Sequence, residues 1–219
     1  VVAGSKGFTG AAVMTALSAL RAGAGAVMLA VPESVYAVVA RKVSEPIVVP
    51  LPSTATGSIA ADAIPTLLER LAWCDVAAIG PGLSRHPETQ AVVRALLLQS
   101  TKKIVLDADG LNHLAEMGAS VVRRSRAHCI LTPHTGEFAR LTGEAASDVE
   151  AGRVVKSRSL ARRLGCVVVL KGAPTVTAVP GGEVFINSTG NPGMATVGAG
   201  DVLTGVVAGL WAQGMQEEA

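Results

Sequence analysis

Gly165-Cys166-Val167-Val168-Val169-Leu170-Lys171-Gly172 is the stretch that decides how this 219-residue chain folds. Gly165 stops the helical pattern before it. The Val-dense run that follows is too uniformly apolar for a half-exposed strand and reads as a strand buried on both faces. It opens at once into a polar, glycine-bearing turn. The same unit recurs outward in both directions. Short apolar runs predict strands at 1–3, 27–31, 47–49, 76–79, 104–106 and 129–131. Patterns of period 3.6 predict helices at 9–22, 34–41, 60–71, 86–99, 111–117, from the 132–134 turn through Leu141, over 148–164 as one long element, and over 200–213. Alternation at 175–178 and 183–186 around Pro180-Gly181-Gly182 predicts a hairpin. Strands alternating with helices imply one α/β domain over residues 1–219, with a central, mostly parallel sheet and helices on both faces.

Apolar residues make up 49% of the chain and aromatics only 3%, so the core is expected to be Ala, Val, Leu and Ile. A net charge of +2 argues against nucleic acid or an acidic membrane surface as partner. The densest basic group, Arg153 to Arg163, lies at helical spacing beside Asp148 and Glu150 and reads as a solvated helix face. Cys74, Cys129 and Cys166 lie far apart with no CxxC pair, which points to a reducing, cytoplasmic setting. No apolar run reaches the ~18 residues a membrane span needs, and the first residues lack a signal-peptide pattern. Val1-Val2-Ala3-Gly4 reads as though the chain opens inside a strand, and the other end stops soon after a helix. A piece of a longer polypeptide, truncated at both ends, is expected.

Ligands of such sheets gather outside the carboxyl ends of the strands, where the polar and Gly-rich turns fall. The most informative is Asn187-Ser188-Thr189-Gly190-Asn191-Pro192-Gly193-Met194-Ala195-Thr196-Val197-Gly198-Ala199-Gly200-Asp201. Glycines let backbone N–H groups approach an anion, and a helix N-terminus adds partial positive charge. Asp201 there either caps the helix or accepts a proton from a substrate hydroxyl while the turn holds a phosphoryl group. No Lys follows these glycines, so this is not a P-loop. Lys171-Gly172-Ala173-Pro174-Thr175 offers a charge and a close backbone to phosphate, or an ordinary turn before the hairpin. In Thr132-Pro133-His134-Thr135-Gly136-Glu137, His134 can hydrogen-bond substrate. Glu137 can hold Mg²⁺ directly or through water, or simply complement the helix dipole. Asp107 and Asp109 can share a cation, or Asp109 can cap the next helix. Gly80-Pro81-Gly82-Leu83 requires close packing against a ligand or a neighbouring turn.

Asn-Pro-Gly-Met-Ala followed by Gly-x-Gly-Asp-Val-Leu-x-Gly, with the turns at 80–83, 105–112, 131–141 and 171–175 in the same order, resembles the ADP-dependent NAD(P)H-hydrate dehydratases of the ribokinase-like superfamily. A weaker resemblance extends to hydroxyethylthiazole and hydroxymethylpyrimidine kinases, which leaves two alternatives: an ATP-dependent kinase of a small alcohol, or an inactive nucleotide-binding regulatory domain. The stronger resemblance implies repair of hydrated NADH and NADPH, with ADP consumed and AMP and phosphate released. It implies Asp201 as base near the hydrate hydroxyl, and Gly198, Ala199, Gly200 and Lys171, Gly172, Ala173, Pro174, Thr175 around nucleotide phosphate. It places Ala11, Gly82, His134 and Asp201 against the hydrated dinucleotide and Glu137 near Mg²⁺. A homo-oligomer is expected, as is a fused or partner NAD(P)H-hydrate epimerase. The chain departs from the pattern at Pro174, Val197, Ala199 and Phe8, where Gly, Gly, Thr and Tyr are expected.

Overall fold

A computed structural model describes residues 1–216. Apart from the run at 1–3, each apolar run is a strand: β1 (Met28–Pro32), β2 (Ile47–Leu51), β3 (Val76–Ile79), β4 (Lys103–Leu106), β5 (His128–Leu131), β6 (Val167–Leu170), β7 (Thr175–Ala178) and β8 (Val184–Asn187). Strands β3 to β8 form one sheet in chain order; β3 to β6 run parallel, and the β7–β8 hairpin adds antiparallel to the edge. β1 and β2 pair in parallel. Val2 bridges Ala30 of β1 and Ile79 of β3, both in parallel, so the predicted first strand is a single pairing residue that stitches the two groups together.

The helices are α1 (Thr9–Arg21), α2 (Glu33–Ala40), α3 (Ile64–Trp73), α4 (Pro87–Gln99), α5 (Asp109–Met117), α6 (Val121–Arg124), α7 (Thr135–Thr142), α8 (Ala146–Ala151), α9 (Arg153–Leu164) and α10 (Ala199–Ala212). Alternation along each strand divides the core. Ile79, Ile104, Leu106, Leu131, Val168 and Leu170 face a large cluster with residues of α3, α4, α5, α7 and α9, among them Leu67, Leu96, Leu111, Phe138 and Leu160. Their neighbours Ala78, Val105, Ile130 and Val167 pack with Ala208 and Trp211 of α10 on the opposite face.

Small residues let α1 and α10 approach closely. A Cβ at Gly205 would overlap Ser18 Oγ and the Thr15 carbonyl oxygen, and one at Gly209 would lie 2.5 Å from the Ala19 carbonyl oxygen. Gly→Ala in a helix interior ordinarily stabilises by about 0.5–1 kcal/mol. Here backbone meets the new methyl, so Gly205→Ala is expected to destabilise by about 1–3 kcal/mol, measured as a lower urea midpoint at unchanged slope. A neutral or stabilising result would mean the two helices are not in this contact.

Two readings of the chain need correction. The long helix over 148–164 is two, α8 and α9, broken at Gly152 (φ −125°, ψ 28°), which ends one and opens the other. The break turns Arg153 inward. Instead of lying on a solvated face it is buried, 8% exposed, with its guanidinium against the end of β6. The short helix α6 escapes a pattern-based reading because one turn shows no periodicity.

Candidate active site

The carboxyl ends of the parallel strands deliver their turns to one rim. At its centre Lys171, just past β6, places Nζ 2.6 Å from Oδ1 of Asp107, which follows β4. Asp107 is 1% exposed. Its other oxygen accepts from the Thr204 hydroxyl at 2.7 Å, and that hydroxyl also lies 3.0 Å from the Gly200 carbonyl oxygen. Asp107 therefore ties the Lys171 turn to the first turn of α10. A Cβ at Gly200 would sit 3.6 Å from Lys171 Nζ and 3.8 Å from Asp107 Oδ2, so this turn lies directly over the ion pair.

Gly198 occupies the N-cap of α10 at φ 89°, a left-handed conformation that favours glycine. A Cβ there would also strike Met14 Sδ at 2.5 Å. No side chain caps this helix. The N–H groups of Gly200 and Asp201 make no hydrogen bond among the described residues, and they stand at the positive end of the helix dipole. Asp201 sits within the first turn, not at the cap, so the capping reading fails. Burial pushes its carboxyl up to about 6; the neighbouring charge of Asp107 adds to the rise and Lys171 opposes it. A carboxylate that binds a proton near neutrality, beside bare N–H donors, is suited to general-base work next to an anion.

The turn after β5 reaches the same centre. Lys171 and His134 pair as an isolated bridge, and Lys171 N–H donates to the Pro133 carbonyl oxygen at 2.8 Å. His134 caps α7: its Nδ1 accepts from the N–H of Gly136 at 2.9 Å and of Glu137 at 3.3 Å, which puts the ring proton of neutral His134 on Nε2. Burial holds its pKa below the ordinary range, helped by Lys171 and Arg140. Glu137 accepts from the His134 N–H at 2.8 Å, completing a capping box. It also lies buried with Oε2 3.8 Å from Lys171 Nζ, and burial raises its pKa. The dipole role read from the sequence is real, and the same carboxylate faces the rim.

Ala11 and Gly82 meet on the other flank. A Cβ at Gly82 would lie 3.1 Å from Ala11 Cβ and 2.7 Å from Phe8 Cβ, while Ser5 Oγ donates to the Gly82 carbonyl oxygen at 2.8 Å. The Gly80–Leu83 turn is thus tight against neighbouring turns: a Cβ at Gly80 would overlap the Asp107 carbonyl oxygen. The Thr15 hydroxyl lies 2.9 Å from the Ala11 carbonyl oxygen and 3.1 Å from that of Asp201, which fixes this flank to the first turn of α10.

Asp107 and Asp109 do not share a cation site. Asp109 turns away, accepting from the Ser84 N–H at 2.8 Å and from Asn112 Nδ2 at 3.1 Å. Asp107, Thr204, Thr15 and Arg153 also support the rim, roles that residue type and spacing alone do not show. The one local signal was Asp201-Val202-Leu203-Thr204, whose i, i+3 spacing puts Thr204 under the same turn.

Comparison with known proteins identifies the family. The family model described as NAD(P)H-hydrate dehydratase matches residues 1–219. The bifunctional NAD(P)H-hydrate repair enzyme of Moorella thermoacetica is 49% identical over 215 residues, 98% of this chain and 40% of that protein. The corresponding enzyme of Thermofilum pendens is 41% identical over 214 residues, 98% of this chain and 41% of that protein. The chain thus spans about two fifths of the curated relatives it matches. Among solved structures, the ADP/ATP-dependent NAD(P)H-hydrate dehydratase from Bacillus subtilis, co-crystallized with ATP/Mg²⁺ and soaked with CoA, superposes with a TM-score of 0.76. It is 30% identical, with 96% of this chain and 72% of that one covered. A ribokinase-like superfamily protein from Enterococcus faecalis reaches 0.81 at 25% identity, covering 97% and 70%. The fold is ribokinase-like, and the chain belongs to the NAD(P)H-hydrate dehydratase family.

Proposed function

We propose that this chain restores NADH and NADPH from their hydrates, consuming ADP and releasing AMP and phosphate. The observation that carries the proposal is the Asp201 carboxyl, held near neutrality within the uncapped first turn of α10, above the Asp107–Lys171 pair. The hydrate's hydroxyl is a poor leaving group. Asp201 takes its proton as the oxygen attacks the terminal phosphorus of ADP, and the bond to AMP breaks. The phosphorylated hydroxyl then departs as inorganic phosphate while the neighbouring ring carbon gives up a proton to that phosphate, which regenerates the dihydropyridine double bond. The N–H groups of Gly200 and Asp201, Lys171 and the 171–175 turn hold the transferred phosphoryl group and its nucleotide. Ala11, Gly82 and His134, with Nε2–H as donor, hold the hydrated dinucleotide.

Magnesium keeps most of its waters and takes one or two carboxylates alongside phosphate oxygens. Both Asp107 oxygens are already engaged. Glu137 is the carboxylate at the rim that would hold it: it is buried, only its Oε2 accepts a hydrogen bond among the described residues, from the His134 N–H, and an ion held there would supply countercharge to the phosphates. The relatives are bifunctional repair enzymes, and a hydrate epimerase activity is proposed as this domain's companion.

Hydrated NADH presented with ADP, with ATP or without nucleotide, in Mg²⁺, tests the assignment. ADP is expected to restore reduced-nicotinamide absorbance with equimolar AMP and phosphate. No recovery above the nucleotide-free control would overturn it. Retained phosphorylated product from a small alcohol, with indifference to hydrated NADH, would point to a kinase instead.

A further inference from the structure

In the turn proposed to hold nucleotide phosphate, the carbonyl oxygens of Lys171 and Gly172 are occupied while the N–H groups of Gly172 and Ala173 are bare among the described residues. Arg153 Nη2 donates to the Leu170 carbonyl oxygen at 2.9 Å and to that of Lys171 at 3.0 Å. The Thr175 hydroxyl donates to the Gly172 carbonyl oxygen at 3.0 Å. The N–H groups of Gly172 and Ala173 make no hydrogen bond among the described residues. Three successive carbonyls are thereby tied down, and the donors are left for an anion.

Arg153 reaches this position at a cost that ordinary packing does not explain. Its side chain is 9% exposed, it stands in the first turn of α9 where the helix dipole disfavours a cation, and its Nε has no hydrogen-bond partner among the described residues. Glu150 takes Nη1 through both carboxylate oxygens at 3.0 Å, and the Thr135 hydroxyl bonds Glu150 and lies 3.3 Å from the same Nη1. Thr135 follows His134, so one guanidinium links the 171–175 turn to the turn carrying His134 and Glu137. Gly172 is shaped to receive it: a Cβ there would lie 2.5 Å from Nη2.

We infer that Arg153 is a positioning residue for nucleotide binding: by holding the Leu170 and Lys171 carbonyls it presents the Gly172 and Ala173 amides to phosphate. The inference rests on the proposed ADP-dependent reaction. Lysine keeps the charge but not the planar fork that spans two carbonyls. In the full-length chain, R153K is expected to weaken ADP binding, read by calorimetry without hydrated cofactor, about tenfold or more. Its kcat at saturating ADP should stay within about threefold, because the reacting groups are untouched. T135V, which removes only the hydroxyl that bonds both Glu150 and Arg153, should move ADP affinity the same way by a smaller factor and serves if R153K does not fold. A folded R153K with unchanged ADP affinity, or with kcat lost and affinity kept, would overturn the role of Arg153 alone. A parent protein that binds no ADP would overturn the reaction and the role together.

Discussion

Asp201→Asn is expected to lower kcat/KM by about two to four orders of magnitude while ADP affinity stays near the parent value. The amide keeps the shape of the first turn of α10 and leaves the Gly200 and Asp201 N–H groups in place, so the anion site survives. What disappears is the acceptor for the hydroxyl proton. The parent's kcat/KM should fall about tenfold for each pH unit below about 6, the value to which burial raises this carboxyl, and the residual activity of the variant should lack that limb. Stability moves the other way. A carboxyl whose folded pKa is raised favours the folded state in full below the ordinary aspartate range, and that contribution is lost as pH rises through about 6. At pH 8 the parent therefore carries a half-buried charge that Asn does not. The variant is expected to be the more stable there by about 1 kcal/mol, a figure already discounted for solvent screening, and the gap should close near pH 4. Activity lost with stability gained marks a functional carboxylate. A variant that loses both equally would make Asp201 a structural residue.

Lys171→Met should act on stability and on binding at once. Asp107 is nearly inaccessible, and without Nζ at 2.6 Å its carboxylate keeps only the Thr204 hydroxyl. Removing one partner of a buried pair costs about 3–5 kcal/mol; Lys171 is itself 19% exposed, so the lower end is expected, measured by urea unfolding. Adding Asp107→Asn removes the stranded charge and should recover most of that loss. ADP affinity should remain weak in the double variant, because the cation facing the phosphates is still missing. Lys171 also opposes the rise in the Asp201 pKa, so the acid limb of any remaining activity should move to higher pH. A single variant within about 1 kcal/mol of the parent would mean that the pair is not buried as described.

Much of this arrangement was legible from residue patterns. Strand positions followed from short apolar runs too uniform to alternate, and the rim followed from the polar turns that close them. The asymmetric partners were harder to read. Asp107 and Asp109 are two residues apart and equally acidic, yet one faces Lys171 and the other pins the Ser84 turn. That choice depends on a lysine 64 residues further along the chain. Arg153 shares its charge and spacing with a run of helical arginines and lysines, and only the break at Gly152 directs it inward. A capping aspartate and one inside the first turn likewise look alike until the helix start is fixed to a residue. It is fixed here by Gly198, at φ 89°.

The Thr15 hydroxyl joins carbonyls that belong to the first and the last helix, and its bond to Asp201 spans 186 residues. The flank carried by α1 therefore meets the bare N–H groups of Gly200 and Asp201 only when segments far apart in the chain have come together. Without α10 the chain has neither Asp201 nor the helix that packs against α1, so this side of the rim is a property of the whole domain and not of a local motif. The closure that brings together such distant segments is among the slower events of folding.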